Sequence, residues 1–174
     1  MSMKRLLFLL ISAAVLLIYV VLASCSKVTQ SELNGNWYVD SIEVQEITSN
    51  TDSGWRPQQG IMAIFAVKEV LSISKSHITP CPSCSASLTM YDNYSGQVKY
   101  TISGSKITIP DQQYSYVRMN GEQISEVGET TIQGGVFDVD IDNGEMDLSG
   151  TMESTDNLGN VKKRTNIQIT LHKL

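Results

Sequence analysis

The chain is expected to fold as an all-β domain, a small antiparallel up-and-down barrel of about eight strands. Three observations lead there. From Gly35 onward, short runs rich in Val, Ile, Thr and Tyr are separated by Gly, Asn, Asp and Ser, the composition that strands and tight turns require. Phe137, Val139 and Ile141 alternate with Asp138, Asp140 and Asp142, the period-2 pattern of a strand with one buried and one wet face. Helical periodicity is nearly absent.

In chain order the candidate strands are 37–47, 61–67, 70–74, 86–91, 98–103, 106–109, 114–119, 123–127, 136–142, 145–152 and 165–172. Merging some of them leaves eight to ten, enough to close a sheet on itself and remove exposed edges. Ser103-Gly104-Ser105 separates two β-rich runs, and Asn143-Gly144 is a two-residue hairpin signal, so neighbours in sequence should pair. Ile167, Ile169 and Leu171 alternate with Gln168, Thr170 and His172 on the last strand. The polar stretch 48–59 reads as a long loop at the barrel mouth. A β-sandwich or another small barrel is the alternative architecture.

The N-terminus is of another character. Lys4 and Arg5 precede an apolar run from Leu6 to Leu22, followed by the small residues Ala23 and Ser24 and then Cys25. This is the layout of a secretory signal. Leu22-Ala23-Ser24-Cys25 resembles a bacterial lipobox, which implies that Cys25 is acylated and becomes the first mature residue. Several acyl chains on one cysteine hold durably where a single chain holds weakly. An uncleaved transmembrane anchor is the alternative, because the run is close to the length that spans a bilayer. The organisation expected is therefore a signal peptide over 1–24, a lipidated N-terminus and short tether over 25–33, and one barrel domain over 34–174, about the size that supports a single core.

Of 174 residues, 13 are Lys or Arg and 18 are Asp or Glu. Loss of Lys4 and Arg5 with the leader makes the mature balance more acidic still. That sign argues against nucleic acid as a partner and against adhesion to an anionic bilayer through basic side chains. No repeat, low-complexity tract or Pro-rich linker divides the chain.

Leu33-Asn34-Gly35-Asn36-Trp37-Tyr38-Val39 at the start of the first strand, the segment 100–109 and the closing residues 167–174 together resemble the small bacterial lipocalin-like lipoproteins. Gly35-x-Trp37 is similar to the Gly-x-Trp signature with which lipocalins open their barrel. The resemblance implies a barrel that binds small apolar molecules, and a late arginine packed over the signature tryptophan. The one late arginine, Arg164, falls at the far end from Trp37 if the last strand returns antiparallel onto the first; His172 and Lys173 fall near it. The lipocalin helix before the last strand has no counterpart, since 156–163 is short and rich in Asn and Gly. The chain reads as an abbreviated relative.

Few residues suggest chemistry. Cys81 and Cys84 enclose Pro-Ser, and once Cys25 is given to lipid they are the two remaining cysteines; in an oxidising envelope they are expected to pair as a structural disulfide. A metal set completed by His77 and a redox Cys-x-x-Cys are the alternatives, the latter disfavoured because a strand rather than a helix follows. Asp138, Asp140 and Asp142 before Gly144 approach a calcium loop, but the glycine is one position late and Ser149 stands where the bidentate glutamate belongs. They are read as a strand's solvent face. No nucleophile elbow or phosphate-cradling loop is present in the sequence, so no catalytic residue, metal or cofactor is assigned. The aromatics either line a cavity or fill the core, the filled core being favoured; Trp55, in the polar stretch, is a candidate rim contact.

The functional expectation is a lipid-anchored protein of the bacterial envelope, outside the inner membrane, in the outer membrane and facing the periplasm. It is expected to bind a small apolar or amphipathic ligand without catalysis. The alternative is an interaction module, an accessory subunit or inhibitor of an envelope complex, whose barrel core is solid.

Overall fold

The structure is a computed structural model that describes residues 27–48, 51–62, 64–80, 93–120, 123–155 and 161–174. Cys25, Cys81 and Cys84, and the strand expected over 86–91, lie outside the described residues. Among the described residues one short helix, α1 (Gln30–Leu33), precedes the strands β1 (Gly35–Ile47), β2 (Asp52–Pro57), β3 (Gly60–Ile61), β4 (Phe65–Ala66), β5 (Val70–Ser74) and β6 (His77–Pro80). Then come β7 (Asn93–Ser95), β8 (Val98–Lys99), β9 (Thr101–Ser103), β10 (Lys106–Ile109) and the long hairpin β11 (Gln112–Asn120) and β12 (Gln123–Ile132). The chain closes with β13 (Gly135–Asp142), β14 (Glu145–Thr155) and β15 (Val161–Lys173).

Every pairing is antiparallel, and the main sheet runs β8-β6-β5-β1-β15-β14-β13-β10-β9, with β2 added to β1. The two ends of that path, β8 and β9, are separated in sequence by Tyr100 alone. Counting 98–103 as one interrupted strand, the sheet wraps into an eight-stranded up-and-down barrel in which sequence neighbours pair and the last strand meets the first. Val98, Tyr100 and Ile102 keep facing inward across the interruption, and the Gln112 side-chain amide bonds both backbone groups of Lys99, accepting from its N–H at 3.0 Å and donating to its C=O at 2.9 Å. This keeps the backbone of the broken rung satisfied.

The barrel is filled along its axis. Trp37, Val39, Ile42, Ile73, Tyr100, Ile107, Phe137, Leu148, Ile169 and Leu171 are all buried in one continuous cluster contributed by alternate positions of the strands. Room is made locally by glycine: the ring of Phe137 on β13 lies over Gly150 on β14, where a Cβ would stand 2.7 Å from its Cδ1. Asn143 and Gly144, both at positive φ (50° and 86°), turn β13 into β14 as the sequence requires of a primed hairpin turn.

One end of the barrel is closed by α1. Thr29 and Glu32 form a capping box, the Thr29 N–H donating to Glu32 Oε2 at 2.7 Å and the Glu32 N–H to Thr29 Oγ1 at 3.4 Å. Leu33 is fully buried, and its carbonyl accepts from Trp37 Nε1 at 2.7 Å. Residues 27–33 were expected as tether; in the structure they lie against the barrel, because burying Leu33 and satisfying the indole N–H outweighs the freedom of so short a segment.

The other end carries two departures from the sequence expectation. Within the stretch expected as a loop, Asp52–Pro57 is a strand: β2 pairs with the outer half of β1, Trp55 opposite Gln45, and extends the wall beyond the rim. The single strand expected over 61–67 is instead a small hairpin, β3 with β4, which folds over the mouth as a flap. Its consecutive residues Ile64 and Phe65 are both buried, which alternation along a strand does not allow, and Phe65 meets Phe137 with ring centroids 6.2 Å apart. A third departure is the short β6, level with Gly35–Trp37 in the sealed half of the barrel; it ends on a proline and carries one buried side chain, Ile78, among those described.

Candidate functional site

Among the described residues a recess of about 450 Å³ lies against Asp138, Asp140, Asp147 and Gln168 on β13–β15, and an apolar one lies at the mouth, at the end opposite α1. The flap and the β11–β12 hairpin face each other there across an open cleft of about 540 Å³. Ile61, Met62 and Phe65 form the flap wall; Tyr114, Tyr116 and Thr130 form the hairpin wall; Glu69 stands beside the flap's return to β5. The volume falls within the usual range for a small-molecule site.

Each wall follows from local sequence. Tyr114 and Tyr116 are two apart on β11 and so share a face, their rings 6.3 Å apart and nearly parallel at 22°. Tyr116 sits opposite Gly128 on β12, where a Cβ would lie 2.6 Å from its Oη, so the ring lies flat across the partner strand and its hydroxyl donates to Glu126 at 2.8 Å. Thr130 is opposite Tyr114. On the flap, Met62 turns the chain at φ 57° and Lys68 at φ 69°, left-handed conformations that side-chain-bearing residues adopt at a cost. Lys68 N–H donates to Val39 C=O and Val39 N–H to Glu69 C=O, both at 2.9 Å, which pins the base of the flap at the bulge in β1.

Charge on the surrounding rim is arranged in pairs. Glu46 accepts from Lys163 at 2.5 Å and from Arg56 at 2.9 Å, and the Lys163 hydrogen bond is the main reason its carboxyl titrates below the ordinary value. A polar ladder crosses four strands just beyond the barrel: Thr151 donates to Asn166, Asn166 to Gln45 and Gln45 to Asp52. Arg164 bonds Glu153 on the neighbouring strand.

The residues singled out in the sequence fall elsewhere. Gly35 and Trp37 are at the sealed end, Trp37 fully buried in the core and Gly35 half-buried. Trp55 is 44% exposed on the outward side of β2, where every residue is exposed, and is not a cleft residue. Asp138, Asp140 and Asp142 are exposed on the outer face of β13, Asp138 paired with Lys106 at 2.6 Å and Asp140 opposite Asp147. Among the described residues no cluster of three His, Cys, Asp or Glu is placed to hold a metal. His77 reaches the Lys75 carbonyl at 3.4 Å, and His172 is 2.8 Å from Asp40 on β1. Of the cleft residues, Phe65, Tyr114 and Tyr116 are among the aromatics that the sequence offers for a core or a cavity; nothing in the sequence singles out Ile61, Met62, Glu69 or Thr130. The available signal was the pairing of a two-apart tyrosine motif with a glycine on the next strand.

The fold and cleft define an all-β barrel with a plugged axis and a binding-sized recess at its mouth. Comparison with family models, with characterised proteins and with solved structures finds no match for this chain. Among the described residues no helix is long and apolar enough to cross a membrane.

Proposed function

We propose that this is a lipocalin-like lipoprotein of the bacterial envelope, held to the outer membrane through acylated Cys25 and facing the periplasm, that binds a small apolar or amphipathic molecule without catalysis. The observation that carries the reading is the mouth cleft, of ligand size and largely apolar in lining, built over a barrel whose axis is already full. Binding therefore belongs at the mouth rather than along the axis. Support for the lipocalin-like assignment comes from the sealed end. Gly35-x-Trp37 opens β1, and a late basic residue does pack over the tryptophan: Lys173, its ammonium 5.3 Å from the ring centroid, takes the place that Arg164, ten residues along β1 opposite Ile47, does not reach. The described cleft residues offer phenols, a threonine and one carboxylate beside an apolar wall, polar groups that can orient a bound molecule.

The test is chemical. The acylated protein is isolated from envelopes without delipidation, denatured, and the small molecules it releases are compared by mass spectrometry with a mock preparation. Enrichment of one compound class identifies the cargo; release of nothing beyond the mock defeats the ligand reading. The anchor is tested separately, since Cys25→Ala should abolish incorporation of labelled palmitate. The second reading, an interaction module in an envelope complex, is favoured by the exposed Trp55 on the arm that β2 adds to the wall. Photo-crosslinking from position 55 in intact cells would reveal such a partner.

A further inference from the structure

We infer that the barrel stands end-on to the bilayer that holds its anchor, with the α1 end against the lipid headgroups and the mouth cleft opening away from them into water. This rests on the acylation of Cys25 and adds the direction from which a ligand reaches the cleft. Strands of the barrel pair antiparallel with their sequence neighbours, so successive turns alternate between its two ends. The start of β1, the turns after β5, β9 and β13, and the end of β15 all fall on the α1 side. The segment leading there from the anchor is docked rather than free. Val28 packs against the core, Leu33 is fully buried, and Gln30 Nε2 donates at 2.6 Å to Tyr100 Oη, which in turn donates to the Ser74 carbonyl at 2.9 Å. Ser26 and Lys27 alone separate Cys25 from Val28, a reach of about 10 Å at full extension. The mouth is much further away. From Trp37, opposite Lys173, to Ile47, opposite Arg164, β1 climbs about 33 Å along the strand, or about 25 Å along the axis of a barrel with ordinary strand tilt. A bilayer within reach of the anchor therefore meets the mouth only if α1 leaves the barrel or the barrel lies on its side. The β13–β14 flank opposes the second course, since Asp138, Asp140 and Asp147 are exposed on it and anionic headgroups repel them. Lys27 and Lys75 are exposed on the α1 side, and such lysines are drawn to anionic lipid, with Asp142 and Glu145 at the β13–β14 turn offsetting part of that pull. The exposed Trp55 and Val161 belong to the mouth end and on this placement face water-borne partners rather than the anchoring bilayer.

Short-range fluorescence quenching on the full acylated chain tests the placement. A fluorescent amino acid is introduced by codon suppression, which spares the cysteines, at Ser74 or Ser103 on the α1 side and at Gln123 or Val161 on the mouth side, all four exposed. Each variant is reconstituted in nanodiscs of phosphatidylethanolamine and phosphatidylglycerol that carry a nitroxide on the headgroup, with nitroxide-free discs as reference. Dyes at 74 and 103 should lose at least about twofold more emission than dyes at 123 and 161, because ends about 25 Å apart exceed the range of contact quenching. Stronger quenching at 123 and 161 overturns the inference, since the mouth would then face lipid. Equal quenching at all four overturns it too, because the barrel would lie on its side, and so does quenching at none, because the α1 end would not be seated. Failure of the protein to carry palmitate and to co-purify with the discs overturns the anchor reading instead. Two positions report each end, so a dye that lowers the thermal midpoint at one of them leaves the other to decide.

Discussion

Lys173 lies across Gly35 to reach Trp37. Its Cε is 3.0 Å from where a Cβ on Gly35 would stand, its ammonium is 5.3 Å from the Trp37 ring centroid, and the same ammonium donates to the Glu32 carbonyl at 3.2 Å. The Gly-x-Trp pair is thus explained from this chain alone. Gly35, at φ 135°, leaves the space through which the last strand's lysine covers the indole, and the carbonyl end of α1 receives the charge. First strand, last strand and N-terminal helix are joined at one point.

Lys173→Met keeps the aliphatic stem and removes the charge. Loss of the cation–π contact should cost about 0.5–1 kcal/mol, read by urea unfolding. Gly35→Ala should cost more, because it meets the lysine stem and holds a side chain at a φ suited to glycine. The reverse order of the two variants would show that the stem does not pack as described.

Trp37→Phe keeps the buried ring but leaves the Leu33 carbonyl without its indole donor. A loss of about 1–3 kcal/mol is expected, the cost of an unmet buried acceptor. Leu33→Ala should be at least as damaging, about 2–5 kcal/mol for a cavity at the sealed end. A near-neutral Leu33→Ala would mean that α1 does not dock on the barrel.

Much of the barrel was legible because its devices are local. Alternation in 136–142 and 165–172 located two half-buried strands, 70–74 and 106–109 matched in both bounds, and Asn143-Gly144 named its turn. The mouth was not legible, for physical reasons that can be named. Trp55 stands in a polar stretch whose strand is exposed on both faces, so no hydrophobic period marks it. Ile64 and Phe65 are adjacent and both buried, a pattern that a flap produces and a strand does not. The cleft joins residues 61–69 to 114–130, and only tertiary pairing brings these together. Cys25, Cys81 and Cys84 lie outside the described residues; alkylation before and after reduction would show one intramolecular disulfide if the last two pair.

Acid should loosen the rim at Glu46 and the α1 cap at Glu32. The Glu46 carboxyl is held below its ordinary value chiefly by the Lys163 hydrogen bond and further by the Arg56 charge, and Glu32 is lowered by its bonds to Thr29. For a carboxyl depressed in the folded state, the stabilisation is complete above the unfolded value of about 4.3 and is lost as pH falls through the folded one. The thermal midpoint should therefore decline below about pH 4.3. Lys163→Met should flatten part of that decline and leave the midpoint near neutrality little changed, since the pair is exposed and screened. An identical pH profile for the variant would remove Glu46 from the account.

Gly128 offers a way to alter the cleft without touching the barrel. A side chain there meets the Tyr116 ring, with a Cβ 2.6 Å from Oη and 2.7 Å from Cζ, and β12 is otherwise exposed along most of its length. Gly128→Val should therefore lift Tyr116 off its partner strand and into the recess, breaking its bond to Glu126. The barrel core would remain intact, so unfolding is expected to shift by no more than about 1–3 kcal/mol, the usual cost of overpacking. Octanol binding should fall far more than stability does, because the displaced ring occupies the volume the apolar body needs. Tyr116→Ala in the same background should restore part of the affinity by clearing the recess. If Gly128→Val binds as the parent does, the recess between flap and hairpin is not where the ligand sits.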